Sequence, residues 1–326
     1  MNKRVLVTGA TGYIGGHVCK HFKNAGWHVI GLDRVPRDHV IDYMDQFMHA
    51  DYAHEDISGF LDANMPAAVI HCAGTSLVGP SVTDPGEYYT NNVAKTAYFL
   101  NYLARHPQAP VLVFSSSAAV YGAPANDIIT EDTPWNPTSP YGQSKAMIEI
   151  MIADTSRAYG LRSASLRYFN ACGADILDSK LGQATGSTHI IARLLECIQN
   201  QSQFVLNGTD YDTPDGTCIR DYVHVDDLAA AHLQAVDYLS AGGASLTVNL
   251  GNSLGYSNLE VIQAVHQFLG YKIDYVTGPR RPGDPARLIA SNALAQRTLG
   301  WTPTYSNLET IIRSAWKWHN SPPFNH

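Results

Sequence analysis

The apolar positions in the first part of the chain form short runs that alternate with stretches of helical composition. Residues 4–7 (RVLV) and residues 28–32 (HVIGL) are two such runs. The stretch between them, residues 17–25, has the composition of a helix, and Gly26 ends it. This order predicts a strand, a helix and a second strand.

The alternation continues to about Phe169. Residues 68–71, 111–114 and 163–167 are further strand-like runs, and helical stretches separate them. Strands that alternate with helices predict a parallel sheet covered by helices.

After Phe169 the alternation loosens, and Gly, Thr and Asp become more frequent. We therefore expect a first domain over residues 1–169 and a smaller mixed α/β domain over residues 170–326. The chain is expected to cross back to the first domain around residues 217–240. Near its end, Leu308, Ile311, Ile312, Ala315 and Trp316 have helical spacing, which predicts a core-facing helix.

A glycine-rich turn follows the first predicted strand. Gly9, Gly12 and Gly15 have G-x-x-G-x-x-G spacing, and the predicted helix comes next. Glycines let the backbone approach a pyrophosphate, and a helix N-terminus offers free N–H groups and a positive dipole. Strand, turn and helix together predict a Rossmann-type doubly wound sheet that binds a dinucleotide.

The residue at the end of the second strand bears on which dinucleotide binds. Asp33 can bind both hydroxyls of an adenosine ribose and would repel a 2′-phosphate, which favours NAD over NADP. The adjacent Arg34 argues the other way, because a guanidinium could neutralise that phosphate.

A tyrosine and a lysine, Tyr141 and Lys145, stand four residues apart in the middle of the chain. In a helix both side chains share one face. A free tyrosine has a pKa of about 10, and a neighbouring ammonium lowers it by favouring the phenolate. The pair therefore predicts an acid/base for a sugar or alcohol hydroxyl.

Composition restricts the classes of function. The 326 residues predict about two domains. The net charge of −7 and the absence of basic runs argue against nucleic acid. No apolar run approaches the roughly 18 residues of a membrane span, and the apolar stretch behind the first four residues is too short for a signal peptide.

The cysteines and histidines do not predict a metal site. The five cysteines are scattered without a C-x-x-C pair, so we expect neither a disulfide framework nor a zinc site. This pattern also predicts that the protein works in a reducing cytoplasm. His17 and His21 have the spacing of a zinc pair, but Val18 stands where H-E-x-x-H needs its glutamate.

Several segments resemble the extended short-chain dehydrogenase/reductase family, and within it the UDP-hexose 4-epimerases, nearly end to end. They include residues 71–74 (HCAG), 114–122 (FSSSAAVYG) and 166–170 (LRYFN). The most specific is residues 210–227, DYDTPDGTCIRDYVHVDD. The resemblance implies NAD-dependent C4 epimerisation of UDP-galactose to UDP-glucose through a transient 4-keto sugar, with NAD kept as a prosthetic group.

The resemblance also implies roles for single residues. Tyr141 would take the proton of the sugar 4-hydroxyl, Lys145 would lower the tyrosine pKa, and Ser117 would hydrogen-bond the reacting oxygen. The implied cofactor-binding residues are Gly9, Gly12, Tyr13, Ile14, Gly15, Asp33, Asp56, Ile57, Ala73, Gly74, Asn92 and Tyr168. The implied substrate-binding residues are Asn170, His189, Ile190, Asn207, Arg220, Arg281 and Asp284. Two arginines suit a diphosphate, because guanidinium binds phosphate in a two-pronged fashion.

The chain departs from the family at positions near both ligands. Ser76 stands where many members have a lysine on the cofactor pyrophosphate, which implies weaker cofactor retention. Asn207 replaces an aromatic beside the uracil. His189 replaces a frequent asparagine and Leu288 replaces a tyrosine, and both bear on which sugar is accepted.

Other activities of the family can be compared at two positions. Nucleotide-sugar 4,6-dehydratases need Asp-Glu where this chain has Ala118 and Ala119, and related decarboxylases need the glutamate. Three alternatives stay open: 4-epimerisation of UDP-N-acetylglucosamine, UDP-glucuronate or UDP-xylose; a nucleotide-sugar reductase; and a non-catalytic NAD-sensing protein. The resemblance also implies galactose metabolism and a homodimer through residues 89–105 and 141–155.

Overall fold

The computed structural model describes residues 3–54, 56–178, 180–184, 186–281 and 284–320. The strands are β1 (Arg4–Thr8), β2 (His28–Asp33), β3 (Gln46–His49), β4 (Ala68–His71), β5 (Val111–Ser117), β6 (Ile128–Ile129), β7 (Ser163–Tyr168), β8 (Asn170–Cys172), β9 (Phe204–Asn207), β10 (Ile219–Arg220), β11 (Tyr222–His224), β12 (Leu246–Leu250), β13 (Tyr256–Ser257), β14 (Tyr275–Gly278) and β15 (Arg287–Ala290). The helices are α1 (Tyr13–Asn24), α2 (Asp38–Ile41), α3 (Asp56–Asn64), α4 (Val78–Thr83), α5 (Pro85–Tyr88), α6 (Lys95–Arg105), α7 (Pro140–Tyr159), α8 (Ile190–Gln199), α9 (Val225–Ser240), α10 (Asn258–Leu269), α11 (Ala293–Leu299) and α12 (Leu308–His319). None of these helices is long and apolar enough to cross a membrane.

Seven parallel strands form the main sheet, in the order β12-β7-β5-β4-β1-β2-β3. Val5 in β1 pairs with Val29 in β2 on one side and with Ala68 in β4 on the other. The strand order reverses between β1 and β4, and ligands of such sheets bind at that reversal, beyond the carboxyl ends of the strands. The predicted Rossmann-type doubly wound sheet is confirmed.

The sheet is buried on both faces, which explains its continuous apolar strands. Alternate residues of β1 point to opposite faces. Val5 and Val7 belong to the core that includes Phe22 of α1, whereas Leu6 belongs to the core that includes Leu103 of α6. Helices α1 and α9 thus cover one face, and α3, α6 and α7 cover the other.

The later part of the chain returns to this sheet. Helix α9 packs on α1, and β12 forms the sheet edge, where Val248 pairs with Leu166 of β7. The predicted crossing around residues 217–240 overlaps α9, and β12 extends the return to Leu250. The division of the chain into two domains at Phe169 stays a prediction.

The remaining elements form small mixed sheets and a separate core. In the four-stranded sheet β13-β10-β15-β6, β10 is antiparallel to β13 and parallel to β15. Helices α8, α10 and α12 surround a third core in which Ile311 and Ile312 are fully buried. This confirms both the mixed α/β C-terminal part and the core-facing helix near the end of the chain.

Candidate active site

The predicted glycine turn connects β1 to α1. Gly9 has a φ of +67°, and a Cβ there would lie 2.8 Å from the Ala73 nitrogen. A Cβ at Gly15 would lie 2.1 Å from the Gly9 carbonyl oxygen. The N-cap of α1 is Gly12, so no side chain caps the first turn of the helix. The first N–H groups of a helix have no partner within it, so those of this turn fit an anionic group such as a pyrophosphate.

Asp33 lies beside this turn, at the carboxyl end of β2. Its Oδ2 accepts a hydrogen bond from the Thr11 nitrogen at 3.1 Å, and its Oδ1 accepts one from the Val35 nitrogen at 3.1 Å. Each carboxylate oxygen keeps a lone pair that can accept a ribose hydroxyl. The neighbouring Arg34 extends toward Asp51, at 3.9 Å, and not toward the Asp33 carboxylate. This arrangement fits NAD better than NADP.

Asn92 holds the loop after β4 against α7. Its Oδ1 accepts a hydrogen bond from the Thr75 nitrogen at 2.7 Å, and its Nδ2 donates to Ser144 Oγ at 3.2 Å. The Ala73 nitrogen, in the same loop, donates to Thr8 Oγ1 at the end of β1 at 3.3 Å. The structure therefore brings Ala73, Gly74 and Asn92 together beside the glycine turn.

The side chains of three other predicted cofactor residues make structural contacts within the fold. The Tyr13 hydroxyl donates to the Gly173 carbonyl at 2.7 Å, and Ile14 is partly buried against the core. Ile57 is buried in the core on the α6 face. The side chain of Asp56 lies outside the described residues, so its place near the adenine stays a prediction.

The three predicted catalytic residues lie together at the carboxyl end of β5. Ser139 is the N-cap of α7 and accepts a hydrogen bond from the Gly142 nitrogen at 3.1 Å, and Pro140 opens the helix. Tyr141 follows in the first turn, and Lys145 lies one turn later on the same face. Ser117 ends β5, and its side chain lies close enough to the Tyr141 hydroxyl to lower its pKa.

The lowering of the Tyr141 pKa by Lys145 stays a prediction. Burial of the hydroxyl raises that pKa, although the nearby Ser117 side chain opposes the rise. The ammonium donates to the Ser115 carbonyl at 2.8 Å and lies 5.9 Å from the centre of the Tyr141 ring. Burial lowers the pKa of Lys145 itself to about 8.

A buried chain of polar groups lies behind these residues. Tyr168, predicted to lie beside the nicotinamide, has its hydroxyl 2.8 Å from Ser115 Oγ and in contact with His232 Nε2. Ser115 Oγ lies 3.0 Å from Cys72 Sγ. Because His232 Nδ1 faces the Leu228 carbonyl at 2.8 Å, Nδ1 carries the proton and Nε2 accepts from Tyr168.

Sequence reasoning did not single out three of these buried polar groups: Cys72, Ser115 and His232. Cys72 follows β4, and Ser115 lies near the end of the adjacent β5. Their positions at the ends of adjacent strands were therefore a usable signal. His232 had none, because it reaches the site from α9.

The predicted phosphate-binding residues form a second group. Arg220 in β10 is 9% exposed and pairs with Asp284. Its guanidinium also donates to the carbonyls of Ile219 at 2.7 Å and Pro285 at 2.6 Å. The Asp284 nitrogen donates to the Arg281 carbonyl at 3.2 Å, which keeps the second arginine close.

Asn170 and Leu288 connect the two groups. Asn170 Nδ2 donates to the carbonyl of Asp221, the residue after Arg220, at 2.8 Å. Leu288 pairs in register with Arg220 and packs on the cluster that contains Ala118, the residue after Ser117. The strand that carries Arg220 therefore lies next to the catalytic end of β5.

The other predicted substrate residues lie at element ends. His189 is the N-cap of α8, Ile190 is its first residue, and burial lowers the pKa of His189. Asn207 ends β9 opposite Gly278 of β14. Their roles in substrate binding stay predictions.

Comparison with known proteins gives consistent matches over nearly the whole chain. Residues 5–251 match the model of the NAD dependent epimerase/dehydratase family. The UDP-glucose 4-epimerase of Halalkalibacterium halodurans is 43% identical, over 99% of this chain and 97% of that protein.

Two solved structures show the same likeness in three dimensions. The UDP-glucose 4-epimerase of Brucella ovis, in complex with NAD, matches with a TM-score of 0.92 and 40% identity, over 97% of this chain and 98% of that one. The enzyme of Bifidobacterium longum, in complex with NAD+ and UDP, matches with a TM-score of 0.90 and 34% identity, over 99% and 100% of the two chains.

Proposed function

The chain belongs to the NAD-dependent epimerase/dehydratase family. We infer that it catalyses NAD-dependent C4 epimerisation of a UDP-hexose and converts UDP-galactose to UDP-glucose. The observation that carries this inference is the grouping of Ser117, Tyr141 and Lys145 at the carboxyl end of β5. That end of the sheet also carries the uncapped start of α1, which fits a dinucleotide.

Bound NAD+ supplies a hydride acceptor and a positive charge. We propose that Tyr141 acts as the phenolate, a form that the positive charges of Lys145 and bound NAD+ would favour, and that it takes the proton of the sugar 4-hydroxyl and later returns it to the same oxygen. The neighbouring Ser117 would place a second hydroxyl at the reacting oxygen. Lys145 adds a buried cation beneath the ring, positioned by the Ser115 carbonyl.

The residues around the glycine turn are proposed to hold NAD. The turn at Gly9, Gly12 and Gly15, with the backbone of Tyr13 and Ile14, would receive the pyrophosphate. Asp33 would bind the adenosine ribose, and Asp56 with Ile57 would lie near the adenine. Ala73, Gly74, Asn92 and Tyr168 would line the path to the nicotinamide.

Asn170, Arg220, Arg281 and Asp284 are proposed to hold the UDP group, with His189, Ile190 and Asn207 around its sugar and base. The half-buried Asp284 carboxylate orients Arg220, because the pair is joined directly. A guanidinium held in this way can offer its remaining N–H groups to a phosphate.

Replacement of Arg220 by glutamine tests this phosphate site. We expect the affinity for UDP to fall about 100-fold, because a charge-assisted contact is lost and Asp284 is left facing the phosphate. Calorimetric titration with UDP measures the change. The matched control is Arg280→Gln: Arg280 is half-exposed and pairs with the exposed Asp210, so its loss should change the affinity little. Equal affinities in the two variants would contradict the assignment.

Two observations favour epimerisation over the alternatives. Dehydratase chemistry needs acidic side chains after Ser117, and the chain has Ala118, which is buried, and Ala119. The relatives of about 40% identity that match nearly end to end are UDP-glucose 4-epimerases. Epimerisation of UDP-glucose and UDP-galactose is therefore favoured over another UDP-sugar, a reductase or an NAD-sensing protein, and we propose galactose metabolism in the cytoplasm as its setting.

The direct test is incubation of the purified protein with UDP-galactose and no added NAD, with chromatography of the products. Formation of UDP-glucose supports the proposed reaction and a retained cofactor. Formation only after NAD is supplied supports the reaction with a loosely held cofactor. No UDP-glucose under either condition contradicts the proposed function.

A homodimer is proposed through α6 and α7. The two helices pack together and expose Tyr98 (52%) and Ile150 (50%), and the adjoining α4 exposes Val82 (64%). Such an apolar surface is typical of an interface. We expect a dimer by sedimentation at about 20 μM and a monomer for Ile150→Glu, because a buried charge opposes association. A monomeric parent protein would contradict the proposal.

A further inference from the structure

A buried lysine joins α1 to the segment that follows β8. Lys20 lies in α1 and is 5% exposed. Its ammonium lies 2.8 Å from Asp175 Oδ2 and 2.9 Å from Asp178 Oδ1. The Tyr43 hydroxyl donates to Asp178 Oδ2 at 3.1 Å, and the ammonium lies 5.1 Å from the centre of the Tyr43 ring. None of these four residues has a role in the reaction described above.

We call residues 173–178 and 180–182 the strap. It is attached near both ends of α1's buried face, because the Gly173 carbonyl accepts from Tyr13 as described above and Lys20 holds Asp175 and Asp178 almost two turns later. The Asp175 nitrogen donates to the Leu181 carbonyl at 2.9 Å, which folds the strap back on itself. The Ile176 nitrogen donates to Asp226 Oδ2 of α9 at 3.0 Å.

The far end of the strap reaches the glycine turn. Leu181 and Gly182 line the same small cavity as Thr11, Gly12 and Tyr13. Leu181 is 3% exposed, and a Cβ at Gly16 would lie 3.7 Å from its methyl group. The strap therefore forms one wall of the turn where the cofactor pyrophosphate is proposed to bind.

The ion pair is well suited to hold that wall in place. Burial lowers the pKa of Lys20, but its hydrogen bonds to Asp175 and Asp178 more than offset this, so the pKa is raised and the cation persists. A buried ion pair opposes separation of its partners strongly, because either partner left alone would be an uncompensated buried charge. Movement of the strap away from α1 would separate them.

We propose that Lys20, with Asp175 and Asp178, is a positioning residue that holds the strap against the glycine turn and thereby slows the dissociation of NAD. The proposal rests on the proposed NAD site at this turn. It gives the chain a means of cofactor retention that contacts no phosphate itself.

The test compares Lys20→Met with Lys23→Met. Lys23 lies on the same helix, but its side chain is 38% exposed and pairs with Asp45 at the surface, away from the strap. We would measure NAD bound per protomer after purification, and the rate at which bound NAD exchanges for isotopically labelled NAD. We expect roughly tenfold faster exchange for Lys20→Met, with the parent rate kept in Lys23→Met. Equal exchange rates in the two variants would overturn the proposal.

Asp178→Asn covers the case in which Lys20→Met does not fold. The Asp178 side chain is 39% exposed, so the change is milder, and Asp175 still pairs with Lys20. Faster exchange than in the parent supports the proposal, and an unchanged rate overturns it. A parent protein that binds no NAD at all would instead contradict the proposed function, so the two failures are distinguishable.

Discussion

Tyr141→Phe is expected to lose turnover of UDP-galactose by at least about 10³-fold while keeping NAD and UDP bound. The change removes only the oxygen that is proposed to take and return the proton of the sugar 4-hydroxyl, and general acid–base groups typically contribute 10²–10⁴-fold. The ring would keep its edge-to-face packing on Tyr88, with ring centres 6.3 Å apart. Chromatography of the products measures turnover, and cofactor content and UDP titration measure binding.

Tyr88→Phe is the matched control for this experiment. Tyr88 lies against Tyr141, but its hydroxyl donates to the carbonyls of Ser76 and Leu77 at 2.7 Å each, outside the catalytic group. We expect this variant to keep most of the parent activity. Full turnover in Tyr141→Phe would contradict the proposed mechanism. Loss of bound NAD together with turnover would show that the hydroxyl also supports the fold of the site.

The strands of the main sheet could be predicted because they are buried on both faces and therefore read as continuous apolar runs. Residues 68–71 match β4 as predicted, whereas the apolar run in β5 ends before the strand does. Residues 111–114 were predicted as a strand, but β5 continues to Ser117. Two of the added serines lie at the proposed site: Ser115 contacts Cys72 and Tyr168, and Ser117 lies beside Tyr141. Local patterns fail where function sets the residue type.

The start of α1 was also misplaced, for a related reason. The helix begins at Tyr13, four residues before the predicted start. The prediction missed these residues because two of them, Gly15 and Gly16, are glycines. Glycine weakens a helix by about 1 kcal/mol relative to alanine, so it masks a helical pattern. Glycine is required at position 15 because the Gly9 carbonyl oxygen occupies the place that a Cβ of Gly15 would take.

Other features depend on contacts between distant parts of the chain, which periodicity does not contain. The pair of Arg220 and Asp284 spans 64 positions, and His232 reaches Tyr168 across 64 positions. The family resemblance implied that Arg220 and Asp284 each bind substrate, but it did not predict that they pair with each other. The raised pKa of Tyr141 depends on burial of its hydroxyl, which the spacing of Tyr141 and Lys145 does not report.

Lys145 is expected to reduce the stability of the fold that it serves. Burial lowers its pKa to about 8, below the roughly 10.4 of an exposed lysine. Between these values the folded state binds fewer protons than the unfolded state. The contribution of this residue to the free energy of unfolding therefore rises with pH across that window. Below it, the full cost of burying the ammonium is present.

Lys145→Met should therefore raise the melting temperature at pH 7, by about 2–5 °C in NAD-free protein, and still reduce turnover at least about 100-fold. Methionine fills a similar volume without a charge, although the Ser115 carbonyl loses its donor and offsets part of the gain. Thermal unfolding at pH 7 and pH 9.5 measures the first effect, and the gain should shrink at the higher pH because the parent lysine is then largely neutral. A variant less stable than the parent at pH 7 would mean that the bond to Ser115 outweighs the burial of the charge. Full turnover would remove Lys145 from the catalytic group.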